Sequence, residues 1–372
     1  MMYNAEYRHL ATQKKFDFFR SQKSKKPYAT LLLIIILFCS FKAFSDNDNL
    51  ILPPENLPVE ISVDLYINKI YNINTVDETY QIDGYLEYSW VDDRLKLPDA
   101  DSASAPRLYE NDRAREFINT KIWFPTIEIM NVQGEIQKPG ISIQVHPDGT
   151  IIYDERFFGT FSTYMNFKEF PFDKQSFKVR VEAFSYDNNH LVFTNPTLYF
   201  ETENNSFLEK WNIKEMKAQI SAHPYPENNT ENPYYSRAEF EINAKRLTGY
   251  YLWQVLFPLF IIIMASFVIF WIRDFGTQIG VGFTLMLTVV AFNFYATSIL
   301  PELPYQTFIE SVIIVGYIFI FLGIVAVIVN YRIWGDKKEK VDNNKFMRLL
   351  RYLFPLAFFT AWLLLFWLFK ID

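Results

Sequence analysis

Two rhythms of hydrophobic and polar residues divide the chain. Between Val59 and Phe240, runs such as ISVDLYINKIYNI, TYQIDGYLEYSW, ISIQV, TIIYDERFFGTF, FKVRVEAFSY and AEFEIN alternate apolar with polar positions. A period of two sends successive side chains to opposite faces, so each run predicts a half-buried strand. Pro, Gly, Asn and Asp separate the runs, and His146-Pro147-Asp148-Gly149 predicts a hairpin turn. About eight to ten short strands over roughly 190 residues predict an antiparallel, immunoglobulin-like β-sandwich. At Tyr250 the alternation stops and long uncharged runs begin. They predict four helices, at 250–272, 279–300, 308–331 and 352–369, each near the roughly twenty residues that cross a bilayer.

The second of these, from Gly280 towards Tyr305, carries a stripe that a plain anchor does not need. At about 100° per residue, Gly280, Thr284, Thr288, Ala291 and Ser298 share one quadrant. Leu287 and Phe294 flank it, and Asn293 falls on the far side, placed to bond between helices. Hydroxyls gain nothing from lipid, so the stripe faces another helix or water. Two readings stand: small residues packing on a neighbouring helix, or copies of the stripe lining a pore with Leu287 and Phe294 as apolar constrictions.

Charge sharpens the division. Between Asp46 and Gly249 there are 33 Asp plus Glu against 19 Lys plus Arg, although the whole chain carries only −6. The strand-rich part is therefore an acidic, water-facing domain that repels nucleic acid and attracts cations. Ahead of it, basic residues from Arg20 to Lys26, an apolar run from Leu31 to Phe38 and Ala43-Phe44-Ser45 read as a signal peptide over 1–45, an uncleaved anchor being the alternative. Cys39, the only cysteine, lies in this leader, so the mature chain forms no disulfide. The expected domains are 46–249 outside the cell and 250–372 in the membrane. A basic loop over 332–351, with Arg332, Lys337, Lys338, Lys340, Lys345, Arg348 and Arg351, is cytoplasmic by the positive-inside rule.

Enzyme signatures are missing. No Gly-rich phosphate loop, His-Glu-x-x-His or Gly-x-Ser-x-Gly occurs, and the four histidines are scattered. No catalytic residue, cofactor or metal site is expected.

Several motifs then fall in one order. Trp90-Val91-Asp92, Trp123-Phe124-Pro125, Phe170-Pro171-Phe172-Asp173, Arg246 before the first helix, Pro258 within it and Leu287 within the second together resemble the pentameric ligand-gated ion channels, the Cys-loop receptor superfamily, in its prokaryotic branch. The resemblance implies a homopentamer in a bacterial inner membrane, multi-pass, with the sandwich in the periplasm. Its partners would be the other subunits, the bilayer, a small cationic or amine ligand and permeating monovalent ions. Ligand would bind between adjacent sandwiches at Glu128, Glu182, Phe184, Tyr225 and Tyr235, with Tyr85 from the opposite face. Pore-lining positions would be Gly280, Thr284, Leu287, Ala291, Phe294 and Ser298. Asp274 and Glu302 would ring the mouths, and Asp173, Arg246 and Pro301 would couple binding to gating. The family's two cysteines would fall at Thr163 and Phe177, so packing must hold that loop. Neither the glutamate ring of cation-selective relatives nor the Pro-Ala-Arg of anion-selective ones is present, since Gly276-Thr277-Gln278 occupies the place. The acidic outer domain favours cations. An anion channel of the same fold and a membrane-anchored binding module that does not conduct are the alternatives.

Overall fold

The structure, a computed structural model, describes residues 50–97, 105–201, 210–224, 233–334 and 345–369. The leader, Tyr225 and the lysines at 337, 338 and 340 lie outside them. Two compact units are distinguished: Met1–Pro53 with Ile118–Phe124, and Pro54–Phe117 with Pro125–Asp372. The second holds both sheets and the membrane helices.

Among the described residues, ten strands form a sandwich. They are β1 (Val59–Asn74), β2 (Thr79–Val91), β3 (Arg107–Glu110), β4 (Ile127–Ile129), β5 (Gln137–Val145), β6 (Thr150–Ser162), β7 (Lys174–Ala183), β8 (Leu191–Phe200), β9 (Trp211–Pro224) and β10 (Tyr234–Arg246). A helix, α1 (Asn111–Thr120), follows β3. One sheet has the order β3-β5-β6-β2-β1-β8 and the other β4-β7-β10-β9. The pairing is antiparallel except for β1 with β8, which run parallel because β8 returns from the other end of the sandwich. Trp90, Tyr80, Phe157, Phe161, Phe177 and Phe240 are fully buried between the sheets. Each large apolar side chain so buried contributes about 1.5–3 kcal/mol.

The motifs earn their places locally. The Asp92 carboxylate accepts from the backbone N–H and Nε of Arg94 at 3.1 and 2.8 Å, closing the turn after β2. The hairpin at His146–Gly149 forms as expected, with Gly149 at φ 86° and its Cα so close to the Asp92 carbonyl that a Cβ would sit 2.7 Å from it.

Among the described residues, four helices are long and apolar enough to cross a membrane. The first, α2 (Gly249–Trp271), contains a wide turn at Leu252–Leu256, where the Phe257 N–H reaches back to the Leu252 carbonyl just before Pro258. The extra residue in that turn absorbs the proline's missing donor. Next come α3 (Phe275–Thr297), α4 (Phe308–Trp334) and α5 (Lys345–Leu368).

Helix α3 ends at Thr297 rather than 300 and α4 at Trp334 rather than 331, and two helix starts differ further from the sequence expectation. Helix α3 begins at Phe275 rather than 279, because Asp274 caps it: its carboxylate accepts from Thr277 N and Oγ1 at 2.8 and 2.7 Å. Gln278 Nε2 also donates to the carbonyls of Ile269 and Ile272, so the expected turn becomes a first helical turn lashed to the end of α2. Helix α5 begins seven residues early, at Lys345, which puts Lys345, Arg348 and Arg351 on its first two turns. Arg351 Nε donates to the Phe270 carbonyl at 3.0 Å and its guanidinium lies over Trp271. A cation at the terminus of α2 satisfies a carbonyl left over there.

Candidate functional site

Three regions carry the expected functional residues. The first is the junction between sandwich and helices. Strand β10 buries every second residue, Ser236, Ala238, Phe240, Ile242, Ala244 and finally Arg246. The register that makes this strand a core strand therefore drives an arginine inside. Asp173, also buried, meets it: Arg246 Nε and Nη2 donate to Asp173 Oδ1 and Oδ2 at 2.7 and 2.9 Å. Gln175 Nε2 donates to Oδ2 at 2.6 Å, and the Arg246 backbone N–H donates to the Asp173 carbonyl at 3.1 Å. A bidentate pair this dry is strongly coupled, quite unlike an exposed ion pair.

The Phe-Pro-Phe-Asp loop that presents Asp173 also reaches the helices. Phe172 packs edge-on against Phe308 of α4 and Phe366 of α5, at 5.6 and 6.0 Å. The Phe167 N–H donates to Tyr305 Oη, and the Phe308 N–H donates to the Lys168 carbonyl. The neighbouring turn after β1 touches the outer end of α3, where Thr75 Oγ1 donates to the Ile299 carbonyl at 3.1 Å. Pro301 lies in the connection between these two contact points. At the positions where the resemblance places cysteines, Thr163 Oγ1 donates to the Ser176 carbonyl at 2.8 Å and Phe177 is buried. The loop is closed by a hydrogen bond and by packing.

The second region is the prospective ligand face. Glu128 on β4 and Glu182 on β7 are register partners, and Glu182 is in turn the partner of Arg237 on β10. Two carboxylates directly opposite one another repel. Arg237 resolves the conflict, its Nε donating to Glu182 Oε2 at 2.6 Å, with Glu182 only 2% exposed. The charge of Glu182, expected to meet ligand, is thus spent on Arg237. Glu128 remains exposed at the sheet edge. Phe184 follows β7, 58% exposed, with its N–H bound to the Thr126 carbonyl. Tyr235 lies on β10 opposite His223. Tyr85 belongs to the other sheet, on β2, where Arg156 lies 5.7 Å over its ring and is paired with Asp83. Glu128, Glu182 and Tyr235 belong to one sheet, Phe184 follows its strand β7, and Tyr85 is not brought to them within the chain. Arg237 went unnoticed in the sequence, although in YYSRAEFEIN it shares the parity of Tyr235.

Near Tyr85, a row of carboxylates crosses three strands. Asp64, Glu87 and Asp154 are successive register partners on β1, β2 and β6. Burial, then a hydrogen bond to Asp154, pushes Glu87 up to about 7. Two carboxyl groups share a hydrogen bond only when one holds a proton.

The third region is the outer face of α3. Its buried side, Gln278, Gly282, Val289 and Ala296, packs inward; Gly282 lies against Ile324 of α4, and the Tyr317 hydroxyl donates to the Val289 carbonyl. The six positions expected to line a pore, Gly280, Thr284, Leu287, Ala291, Phe294 and Ser298, fall on the opposite side. All are outside the inward-packed face, Leu287 and Phe294 being 69% and 72% exposed. These two stand in the middle of the face rather than at its edge, and Phe283 and Tyr295 join it. Thr284 and Thr288 hydroxyls each donate to the carbonyl four residues back, at 2.8 Å. Their protons point along the helix and their lone pairs outward. The Asn293 carbonyl accepts from Thr297 Oγ1 within α3. Asp274 and Glu302 are exposed at the two ends.

The model of the neurotransmitter-gated ion-channel ligand binding domain matches residues 41–248. A proton-gated ion channel of Gloeobacter violaceus is 24% identical over 347 residues, covering 92% of this chain and 93% of its own. The human gamma-aminobutyric acid receptor subunit rho-3 is 24% identical over 292 residues, 76% of this chain and 60% of its own. The chicken receptor subunit beta-4 is 26% identical over 302 residues, 77% of this chain and 59% of its own.

Proposed function

The chain belongs to the neurotransmitter-gated ion-channel family and is a multi-pass membrane ligand-gated ion channel, and we propose that it works as a homopentamer conducting monovalent cations, opened by a small amine outside the membrane. The observation that carries the reading is the division of the ligand face. Glu128 and Tyr235 lie on one sheet, with Phe184 just past the end of its strand β7, and Tyr85 lies on the other, so a pocket holding them all closes only when a second subunit brings its Tyr85. Aromatic faces attract a cation by about 0.5–2 kcal/mol each. With Glu182 committed to Arg237, Glu128 supplies the free counter-charge.

Cation selectivity is supported by the outward lone pairs of Thr284 and Thr288, by exposed Asp274 and Glu302, and by the acidic outer domain. Leu287 and Phe294 act as apolar collars that dry the closed pore. Asp173, Arg246 and the Pro301 loop transmit the movement of the sandwich. Planar-bilayer recording of the purified full-length chain tests the reading. Unitary steps evoked by n-propylamine, reversing near the cation equilibrium potential in asymmetric salt, are expected. Reversal near the anion potential overturns the selectivity, and binding without unitary steps overturns conduction.

A second reading, in which protons are the agonist, is favoured by the carboxylate row: Glu87, held near 7, changes charge close to neutrality, and one relative is a proton-gated channel. Currents evoked by acid steps without amine would support it.

A further inference from the structure

The coupling pair is positioned by more than its own charges. Arg246 and Trp211 are register partners on β10 and β9. The guanidinium lies 4.1 Å from the centre of the Trp211 ring, nearer than to Phe170 at 5.0 Å or Tyr251 at 5.6 Å. A bidentate bond to a carboxylate requires the guanidinium plane to stay fixed, and a flat aromatic surface beneath it fixes that plane. Trp211 is buried and is itself braced edge-on by Phe177 at 5.4 Å, which rests against Tyr80 at 5.1 Å. Phe177 stands at one of the two positions where disulfide-bearing relatives are expected to carry cysteine. Here the Thr163–Ser176 hydrogen bond closes the loop, which leaves the Phe177 ring to support Trp211.

Strand β9 adds a lever. It is the edge strand of its sheet and pairs with β10 from His223 opposite Tyr235 at the ligand end to Trp211 opposite Arg246 at the membrane end, with one register shift between Asn243 and Ala244. A shift of the hairpin at the ligand end therefore reaches the ring on which the coupling arginine rests. We propose that Trp211, braced by Phe177, is a positioning residue for gating: it holds the Arg246 guanidinium in plane with Asp173 and carries the movement of the β9–β10 hairpin to that pair. The transmission half of this rests on the channel reading above.

The test uses the full-length chain, with Trp211→Leu, Trp211→Phe, Phe177→Leu, Arg246→Lys and the double variant Trp211→Leu/Arg246→Lys. In bilayers, Trp211→Leu is expected to raise the half-maximal concentration of n-propylamine about tenfold, the size of one lost cation–ring contact. Unitary conductance should not change, Trp211→Phe should restore most of the sensitivity, and Phe177→Leu should shift it about threefold. In the double variant the two losses should overlap rather than multiply. A half-maximal concentration unchanged by Trp211→Leu overturns the proposal, as does failure of Trp211→Phe to rescue or a fully multiplicative double variant. Thermal unfolding of the same set needs no agonist: less-than-additive losses in Tm for Trp211→Leu and Arg246→Lys support the clamp, and additive ones overturn it. Where Trp211→Leu does not assemble, Phe177→Leu with Arg246→Lys supplies the cycle. A wild-type chain that passes no current with amine or acid counts against the function proposed above, and the melting cycle still decides the clamp.

Discussion

The junction and the ligand face are built on opposite principles. At the junction, a single chain supplies both charges, their hydrogen-bond partners and an aromatic enclosure, and Arg246 and Asp173 are closed off from water. At the proposed ligand face Glu128, Phe184 and Tyr85 are exposed, the expected residues are divided between two sheets, and one strong charge pair, Glu182 with Arg237, is internal to one of them. A part that transmits force must be whole within each subunit. In the proposed channel, the part that senses ligand is left open for another molecule to enter and for a neighbouring subunit to close.

Perturbations should separate the two regions, the largest effect coming from the junction. Arg246→Ala leaves Asp173 buried without its partner, which typically costs about 3–5 kcal/mol. The expected outcome is loss of assembled protein or of all agonist-evoked current, read by size-exclusion chromatography and bilayer recording. Wild-type assembly and gating in that variant would show that the pair is dispensable. Next in size is the pore face, where Leu287→Ser should hydrate the apolar collar. Spontaneous openings, or a response at agonist concentrations about tenfold lower, are expected from a lost dewetting barrier of roughly 1.4 kcal/mol. An unchanged concentration–response curve would move Leu287 off the conduction path.

On the ligand face, Phe184→Ala should raise the half-maximal concentration about three- to tenfold, the loss of one aromatic surface, with unitary conductance unchanged. A change in conductance would place Phe184 elsewhere in the mechanism. Glu182→Ala should act differently from Phe184→Ala, because it also strands Arg237. Its thermal stability should fall, and Glu182→Ala/Arg237→Ala should recover part of the loss.

The smallest effect concerns pH. Glu87 is raised from 4.5 to about 7 in the folded chain. The folded state therefore binds more protons than the unfolded one between those values, and stability should fall as pH rises through that window. Glu87→Gln should flatten the dependence of Tm on pH there, and a slope unchanged from wild type would show that the carboxylate row does not hold the proton.

Much of this was legible in the sequence because the signals are local. Period-two alternation marked the strands, and unbroken apolar length marked the membrane helices. The Asp173 and Arg246 motifs were recognisable, and so was the stripe on α3. What the sequence left open depends on partners distant along the chain. Two alternatives stood for the α3 stripe, and the helix turned its small-residue side outward because Gly282 had been taken by close packing on Ile324. Leu287 moved from the edge of that stripe to its centre, since the exposed arc is set by what α4 covers rather than by where hydroxyls cluster. The early start of α3 followed from Asp274 and Gln278 finding bonds across the turn. Glu182 was expected to face ligand, and only the pairing of β7 with β10 revealed Arg237 opposite it.

By itself, the sequence determined the strands with clear alternation, β1, β2, β5, β6, β7 and β10, which segments cross a membrane, and which motifs place the chain in its family. These properties arise from neighbours within a few residues, where periodicity, capping and hydrophobic length act directly. Only the tertiary structure decided which buried charges are paired with one another, and which ring lies under the Arg246 guanidinium. Asp173 and Arg246 lie 73 positions apart and Glu182 and Arg237 lie 55 apart, so strand register, which no single stretch encodes, chooses the partner of each buried charge.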